Sequence, residues 1–500
     1  MIEREIKLAA GPGFHLPDLG SIDPDATAEH PEAFRMETVY HDTEDLRLAR
    51  WGCSLRHRSR EGWTLKLPTD AGGPMLERTE ITLAGSAKSP PAGVLDPVRA
   101  YIRRAALQPV ARLSTLRHRV RLVDRTGRRL AEVVDDEVSV LDGRRVAARF
   151  REIEVEIDPA GDHLLQPLLD RLHAAGAGRS DSTPKHVRAI GPQAADPPEV
   201  APGALPAKAT VGDLVANAIG VSIAGLLKHD PGVRIGGDPE HVHQARVSVR
   251  RLRSNLRTFA ELLDGEAIDP LRDELGVLGS ELGDLRDREV LVDRLRERLT
   301  QLPEQDRRTA AELLKRLERE IAGHRTTAIK FMDSARYLDL LESLVQLARN
   351  PPLRAAVEPT EEPALKGGAS IGKLVMKPWR RLRNAVRALP DDPPDADLHR
   401  IRIYAKRVRY AAEAVAPMAG RDAALFAKAA AALQTVLGEH QDSVTAEAWL
   451  RKAATPASGR RAFVAGQLAA LERAHALEMR RKWRTAWDEL DRRRLRAWME

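Results

Sequence analysis

Charged residues alternate with apolar ones along several short segments of the first 190 residues. In Ile2–Lys7 this alternation places Glu3, Glu5 and Lys7 on one face of a predicted strand. Three further strands are predicted to carry charged faces made of Arg56 and Arg58, of Arg117, Arg119 and Arg121, and of Glu152, Glu154 and Glu156. Like charges two residues apart repel each other, whereas a merely solvated face usually mixes signs. Acidic residues on the first and last of these strands, with basic residues on the strands between them, predict a barrel with a polar interior.

These residue types suit a triphosphate ligand that is bound together with a metal ion. Arginine guanidinium groups bind phosphate oxygens bidentately, and Mg²⁺ is commonly held by one or two carboxylates plus the substrate phosphates. Phosphoryl transfer depends mainly on positioning and charge neutralisation, so it needs no nucleophilic side chain, and none is evident. The sequence also lacks a GxxxxGK[ST] phosphate loop and a zinc-protease signature.

A second set of basic residues recurs at helical spacing in the C-terminal part of the chain. One stripe consists of His243, Arg246, Arg250, Arg253 and Arg257, and the other of His399, Arg402, Lys406 and Arg409. Apolar residues one position earlier form an adjoining core stripe on each helix. A third basic run contains Lys377, Arg380, Arg381, Arg383 and Arg387. Because these runs contain no acidic residue, they predict a surface that binds polyanions, and the histidines are less suited to metal binding.

The two stripes belong to segments that resemble each other. His243–Arg253 aligns with His399–Arg409 at an offset of 156 residues, and Leu282–Asp287 aligns with Leu437–Asp442 at an offset of 155. A nearly constant offset over two separate motifs predicts an internal duplication.

Two proline-rich segments divide the chain. A linker is predicted at 191–207, and a second break between 350 and 372, because closely spaced prolines interrupt helices and central strands. The predicted pieces are a β-rich domain at 1–190, with helices at Pro97–Leu107 and Leu164–Ala175, and a helical domain at 208–500 with halves 208–349 and 373–500.

Composition excludes several classes of protein. The chain has 500 residues, a formal net charge of +7 and 43% hydrophobic residues, as expected for a globular protein. Seven Trp, five Tyr and seven Phe are too few to favour binding of single-stranded nucleic acid by base stacking. The single cysteine, Cys53, excludes an internal disulfide framework. The N-terminus lacks the apolar core of a signal peptide, and the stretch Leu214–Leu227 is shorter than the ~20 residues that span a bilayer. We therefore expect a cytoplasmic protein without a membrane partner.

The N-terminal segments resemble the CYTH domain of the triphosphate tunnel metalloenzymes. The matching pieces are the ExExK motif Glu3–Lys7, Tyr40–Thr43, Cys53–Arg58, Trp63–Lys66, Glu77–Glu80 and Glu152–Glu156. The resemblance implies an eight-stranded antiparallel tunnel that binds triphosphate-bearing substrates with Mg²⁺ or Mn²⁺. The implied metal ligands are Glu3, Glu5, Glu132, Asp136, Glu152, Glu154 and Glu156, and which two of the last three bind metal is left open. The implied catalytic and phosphate-binding residues are Glu3, Glu5, Lys7, Arg56, Arg58, Lys66, Arg117, Arg119, Arg121 and Lys185. Glu80 is implied to orient the basic side chains.

The C-terminal part, at about 208–500, resembles the CHAD domain. This helical module has two four-helix halves, often follows a CYTH domain and is associated with inorganic polyphosphate. The matching pieces are the two His-x-x-Arg-x-x-x-basic-Arg helices and the Leu-Gly-x-x-x-Asp motifs that end at Asp287 and Asp442. The implied polyphosphate-binding residues are His243, Arg246, Arg250, Arg253, Arg257, Lys377, Arg380, His399, Arg402, Lys406 and Arg409.

We therefore predict a multidomain protein with an N-terminal α+β, eight-stranded antiparallel β tunnel and an all-α C-terminal domain of two duplicated four-helix bundles. The predicted function is metal-dependent hydrolysis of inorganic triphosphate or short polyphosphate, with polyphosphate bound by the helical domain and association with polyphosphate granules in the cytoplasm. One alternative is an adenylate cyclase-type tunnel enzyme, although no residue pattern reveals the adenine pocket that it needs. Another is a non-catalytic polyphosphate-binding protein. No specific nucleic acid partner is expected, since aromatic residues do not interleave the basic stripes.

Overall fold

The computed structural model describes residues 2–69, 76–354, 368–455 and 459–499. The chain separates into two compact units, Met1–Glu199 and Val200–Glu500. The division falls inside the segment 191–207 that the prolines mark as a linker. The first unit is built mainly of strands and the second of helices.

The strands of the first unit close into a barrel. They are β1 (Ile2–Ala10), β2 (Thr27–Ala28), β3 (Glu32–Asp42), β4 (Ser54–Arg58), β5 (Gly62–Pro68), β6 (Leu76–Leu83), β7 (Gln108–Val123), β8 (Arg129–Asp142) and β9 (Arg145–Ile157). Their order is β2-β7-β3-β4-β5-β6-β1-β9-β8, and β7 also pairs with β8. This last pairing joins the eight longer strands into a closed antiparallel barrel, while the two-residue β2 is added alongside β7. The predicted eight-stranded tunnel is confirmed.

Strand register aligns the charged residues on the inner face of the barrel. Lys7 is opposite Glu154, and Asp136 is opposite both Arg117 and Glu152. Apolar residues of the other parity, including Ile6 and Val155, are buried in a core on the outer face. Because successive side chains alternate between the two faces of a strand, filling the outer core with apolar residues directs the charged ones inward.

Five short helices accompany the barrel: α1 (Arg47–Arg50), α2 (Ala92–Leu95), α3 (Arg99–Ile102), α4 (Leu165–Ala174) and α5 (Lys185–Ile190). The buried residues Leu168 and Leu172 of α4 pack into the outer core, as predicted for that helix. The helix predicted at Pro97–Leu107 is wrong in its bounds. The helical stretch begins earlier, at Ala92, and ends at Ile102 because Arg103 has a φ of 52°, which a right-handed helix cannot contain.

The second unit consists mainly of long helices. Its first half contains α6 (Val211–Ile235), α7 (Pro239–Thr258), α8 (Gly265–Leu299), α9 (Glu304–Met332) and α10 (Ala335–Arg349). Its second half contains α11 (Gly368–Arg387), α12 (Asp395–Ala419), α13 (Arg421–Ala454), α14 (Arg460–Leu490) and α15 (Arg493–Arg496). In each half the four long helices pack in chain order, and the shorter α10 packs against α6. The predicted multidomain fold is confirmed.

The length argument against a membrane span needs correction. The helix α6 has 25 residues, more than the apolar stretch read from the sequence, and an 18-residue window of mean hydropathy 1.4. By length and composition it is the one described helix that could cross a bilayer. Half of that window is buried inside the unit, where Leu214, Ile219 and Ile223 are fully covered. Burial, rather than insufficient length, is therefore what assigns α6 to the protein core.

Candidate functional site

The barrel interior contains a small cavity of about 40 Å³, which is room for about three water molecules. Its lining includes eight of the predicted site residues: Glu5, Lys7, Arg56, Lys66, Arg117, Glu154, Glu156 and Lys185. These side chains come from five strands and from the N-terminus of α5. The structure therefore brings together residues that lie up to 180 positions apart in the sequence.

Two buried lysines lie among the carboxylates of the tunnel. Lys7 Nζ contacts Glu154 and lies 3.5 Å from Glu5 Oε1. Lys185 Nζ lies 2.8 Å from Asp136 Oδ2, 2.9 Å from Glu152 Oε1 and 2.9 Å from Glu154 Oε1. The side chains of both lysines are less than a tenth exposed. Carboxylates rather than solvent thus neutralise both ammonium groups, those of β1 and β9 for Lys7 and those of β8 and β9 for Lys185.

Arg117 joins the basic strands to the acidic ones. Its Nε and Nη2 donate to the two carboxylate oxygens of Asp136 at 2.8 and 2.7 Å, and Nη2 lies 3.3 Å from Glu154 Oε2. Burial disfavours ionisation of Glu154, but Lys185, Lys7 and Arg117 outweigh burial and hold its pKa well below the ordinary value. Burial likewise lowers the pKa of Lys185, yet Asp136, Glu154 and Glu152 raise it overall. Glu154 and Lys185 are therefore both charged at neutral pH.

The tunnel carboxylates have the chemistry of ligands for a hard divalent cation. Both side-chain oxygens of Glu5 and of Glu152 are buried and accept no hydrogen bond from any described residue. For Glu152 the ammonium of Lys185 is near but is not aligned as a hydrogen-bond donor. Buried carboxylate oxygens without donors fit Mg²⁺-type coordination. Among the described residues, however, no three His, Cys, Asp or Glu side chains form a ready-made metal site, since lysines lie among the acids. The side chain of Glu3 lies outside the described part of the chain.

Several predicted site residues lie away from the cavity lining. Arg58 is buried but donates to Thr38 Oγ1 at 3.0 Å and pairs with Glu61 at 2.9 Å. Further along β7, Arg119 pairs with Glu32, and Arg121 Nε lies 3.0 Å from Glu132 Oε2. Glu80 Oε2 lies 3.2 Å from Lys66 Nζ, which fits the predicted role of Glu80 in orienting a basic side chain. Asp136 and Glu152 are fully buried behind the lining residues that they neutralise.

Five lining residues were absent from the predicted site: Tyr40, Ser54, Arg78, Pro184 and His186. Arg78 shares strand parity with Glu80, so the alternation of β6 could have identified it. His186 stacks on Tyr40 with ring centroids 5.3 Å apart. Burial, with Arg78, Lys7 and Arg56 nearby, lowers the pKa of His186 to about 3, so it is neutral. Its position in a six-residue helix leaves no periodic signal in the sequence.

In the second unit, the two basic stripes lie next to each other because α7 packs against α12. The core residues predicted beside them, such as Val249 and Ala405, are buried. Burial and, after it, the neighbouring Arg402, Arg250 and Arg246 together lower the pKa of Lys406 to about 7. We call Arg246, Arg250, Arg402 and Lys406 the central basic cluster. It combines two residues from each half of the duplication.

The duplicated Leu-Gly-x-x-x-Asp motifs supply the acids that the stripes lack. Arg246 Nη1 lies 2.6 Å from Asp287 Oδ1, and Arg402 Nη2 lies 3.7 Å from Asp442 Oδ1. A Cβ on Gly283 or Gly438 would lie 3.6–3.7 Å from the corresponding guanidinium, an ordinary contact distance, so each arginine side chain lies directly over the neighbouring helix. The sequence showed no acid within the stripes, but partial neutralisation comes from α8 and α13.

The remaining predicted polyphosphate-binding residues separate into groups. Arg253 is exposed beside Gly276 and Gly279 of α8, and Arg409 Nε is bonded to Glu413 at 2.6 Å. His243 and His399 are half-buried, and burial followed by Arg286 lowers the pKa of His243. Arg257 and Lys377 instead line a separate cavity of about 420 Å³, and the exposed Arg380 is outside that lining.

Comparison with known proteins gives consistent matches to both units. A profile of the CYTH domain matches residues 1–182, and a profile of the CHAD domain matches residues 217–451. An uncharacterized protein of Mycobacterium tuberculosis is 32% identical over 487 residues, which cover 92% of this chain and 90% of the relative.

Solved structures also align with parts of the chain. PptA from Streptomyces chartreusis is 25% identical, with a TM-score of 0.45, over 55% of this chain and 99% of its own. The CHAD domain from the plant Ricinus communis is also 25% identical, with a TM-score of 0.43, over 60% of this chain and 95% of its own.

Proposed function

The chain belongs to the CYTH and CHAD families, with a CYTH tunnel followed by a CHAD domain, and from this premise we propose that the tunnel hydrolyses inorganic triphosphate or short polyphosphate. We further propose that the helical domain binds inorganic polyphosphate. Tunnel metalloenzymes of the CYTH family depend on divalent metal, and the family includes both triphosphatases and adenylate cyclases.

The observation that carries the proposal is the charge balance of the tunnel cavity. Its lining presents six cationic side chains, from Lys7, Arg56, Lys66, Arg78, Arg117 and Lys185, against three carboxylates. A linear triphosphate would give these cations phosphate partners in place of carboxylates. The displaced carboxylates would then be available to a divalent cation. Binding of triphosphate together with metal thus gives a role to both the cationic side chains and the carboxylates of the tunnel.

In this proposal the chain's own groups bind, orient and neutralise the substrate. Arg56 and Arg117 provide planar guanidinium groups for phosphate oxygens, while Lys7, Lys66 and Lys185 provide point charges. Glu5, Glu152, Glu154 and Glu156 are the residues that would hold Mg²⁺ or Mn²⁺, which when bound supplies further neutralisation of the transferring phosphoryl group. The enclosed barrel limits the water around the reacting phosphate, which strengthens every electrostatic interaction there.

The lining favours an inorganic substrate over the nucleotide that a cyclase requires. Apart from Tyr40 and Pro184, the described lining residues are charged or polar. A pocket for an adenine ring is usually lined mainly by apolar and aromatic side chains. These features support triphosphate hydrolysis more than cyclisation of ATP.

The proposal is tested by measuring the products formed from inorganic triphosphate, ATP and long-chain polyphosphate with each divalent metal. We expect metal-dependent release of phosphate from inorganic triphosphate. Cyclic nucleotide and pyrophosphate from ATP would instead identify a cyclase. Tight binding of triphosphate without turnover under any metal would identify a binding protein and overturn the proposed activity.

A further inference from the structure

A second cavity in the helical unit takes no part in the proposed hydrolysis. It lies between α7, α11 and α12 and has a volume of about 420 Å³, some ten times that of the tunnel cavity. We call it the α11 cavity, and its lining includes Arg257, Lys373, Lys377, Arg381, Tyr404 and Arg407. Its volume lies in the range of about 300–1,000 Å³ that is typical of small-molecule sites.

The α11 cavity has more positive charge than its neighbours neutralise. Five cationic side chains line it, and Glu261 is the one acid among the described lining residues. Glu261 pairs with Lys377 at 3.0 Å, but both side chains are largely exposed, so this pair is weak. Burial lowers the pKa of Arg257, and Arg407, Arg272, Arg253 and Arg381 lower it further, which reflects crowding of like charges. An anionic ligand would relieve this repulsion.

Charge alone does not account for the cavity, because part of its wall is apolar. Leu374 and Pro378 of α11, Ala260 and Tyr404 contribute apolar surface to the cavity lining. The guanidinium carbons of Arg381 and Arg407 lie 4.9 and 5.6 Å from the centroid of the Tyr404 ring. An inorganic phosphate chain has no apolar part to place against such a wall. The lining therefore matches an organic anion with a planar group at one end and phosphates at the other.

We propose that the α11 cavity binds a nucleoside di- or triphosphate. The base packs against the apolar wall, where Tyr404 and the adjacent guanidinium groups offer planar surfaces for stacking. The phosphates contact Lys373, Lys377, Arg381 and Arg257, whose positive charges surround the same space. The site is made only of residues from the helical unit, and it does not depend on whether the tunnel hydrolyses triphosphate.

The test is equilibrium dialysis of the full-length chain against labelled ADP in the presence of EDTA, which removes divalent metal from the tunnel. We expect saturable binding that Tyr404→Ala and Arg381→Gln each weaken about tenfold or more, as expected for loss of base stacking or of a charged phosphate contact. Arg316→Gln, at a partly exposed pair with Glu320 on α9, is the matched control and should bind ADP like the wild type. Tyr404→Leu keeps apolar volume without the aromatic face and should also weaken binding.

Three outcomes would overturn the proposal. Wild-type affinity for ADP in both cavity variants would place ADP elsewhere. Equal, Tyr404-independent affinities for ADP and pyrophosphate would make the cavity a plain phosphate site. Tighter binding of octyl phosphate than of ADP would show that the apolar wall accepts an alkyl chain rather than a base. Circular dichroism of each variant verifies that the helices are intact.

Discussion

The tunnel and the central basic cluster both concentrate positive charge, but they neutralise it differently. In the tunnel, Lys185 is surrounded by three carboxylates within 3 Å, and its pKa is raised. In the helical unit, burial and, after it, three neighbouring arginines lower the pKa of Lys406 to about 7. The pKa of a lysine removed from water thus reflects how much negative charge surrounds it.

This difference suggests two modes of anion binding. The tunnel must exchange internal ion pairs for substrate and metal, which demands a ligand of matching size and charge. The central basic cluster lacks sufficient acid and gains neutralisation from any flexible polyanion that reaches it. We therefore expect the tunnel to be selective and catalytic, and the cluster to bind without catalysis.

The largest expected effect concerns the acid side of the tunnel. We predict that Glu5→Gln reduces metal-dependent hydrolysis of triphosphate about a hundredfold or more, since it removes a buried carboxylate proposed to hold the metal. Steady-state rates at saturating Mg²⁺ and Mn²⁺ measure this. Glu77→Gln on β6, whose side chain pairs with Arg4 at 3.7 Å, is the control and should retain activity. Undiminished turnover of Glu5→Gln would contradict the assignment, and the same prediction applies to Glu3→Gln.

A smaller effect should distinguish two arginines of β4. Arg56 lines the cavity, whereas Arg58 is held by Thr38 and Glu61. We predict that Arg56→Ala raises the KM for triphosphate about tenfold or more, as expected for loss of a charged phosphate contact, and that Arg58→Ala raises it less. Equal effects of the two substitutions would show that Arg58 turns toward the substrate.

The central basic cluster can be tested by charge reversal. We predict that Arg250→Glu combined with Lys406→Glu weakens binding of long-chain polyphosphate and reduces its salt dependence, because fewer counterions are released. Titrations at several salt concentrations measure both quantities. The control pair, Arg316→Glu with Arg451→Glu, reverses two exposed charges on α9 and α13 and should have a smaller effect. If duplex DNA binds as tightly as polyphosphate at matched salt, the cluster is a general polyanion site.

The smallest expected effect is on pH dependence. Because the pKa of Lys406 is lowered to about 7, this residue gains its charge as the pH falls through neutrality. Polyphosphate affinity should therefore fall severalfold as the pH rises from about 6 to about 8. At pH values within this range, binding of polyphosphate should be accompanied by uptake of protons. Burial and Arg286 lower the pKa of nearby His243 below its ordinary value, so its charge is lost at lower pH than that of an ordinary histidine. Lys406→Arg should flatten the profile, and an unchanged slope in that variant would assign the titration elsewhere.

Sequence alternation predicted which tunnel residues share the inner face, because strand parity is fixed by local geometry. Alternation alone therefore identified Glu5, Lys7 and Arg117 as residues of the inner face, without any information about their neighbours in the barrel. It could not predict that Arg58 would pair with Glu61 in the following turn, since two inward side chains of one strand can choose different partners. Such choices depend on which groups the closed barrel places within reach.

The helical unit shows the same limit at a different scale. The spacing of Arg246 and Arg402 predicted two basic helix faces, and the duplication predicted that they are equivalent. The acids that partly neutralise them, Asp287 and Asp442, belong to other helices and lie about 40 residues away in sequence. Periodicity describes one helix at a time, so it could not reveal this pairing or the convergence of the two stripes on one cluster.

The most direct test of the account measures hydrolysis and binding in the same three proteins. Metal-dependent phosphate release from inorganic triphosphate and affinity for long-chain polyphosphate are determined for the wild type, Glu5→Gln and the Arg250→Glu, Lys406→Glu double variant. The account predicts that Glu5→Gln loses hydrolysis but still binds polyphosphate, and that the double variant shows the reverse. Hydrolysis at the wild-type rate in Glu5→Gln, or loss of hydrolysis in a folded double variant, would contradict it.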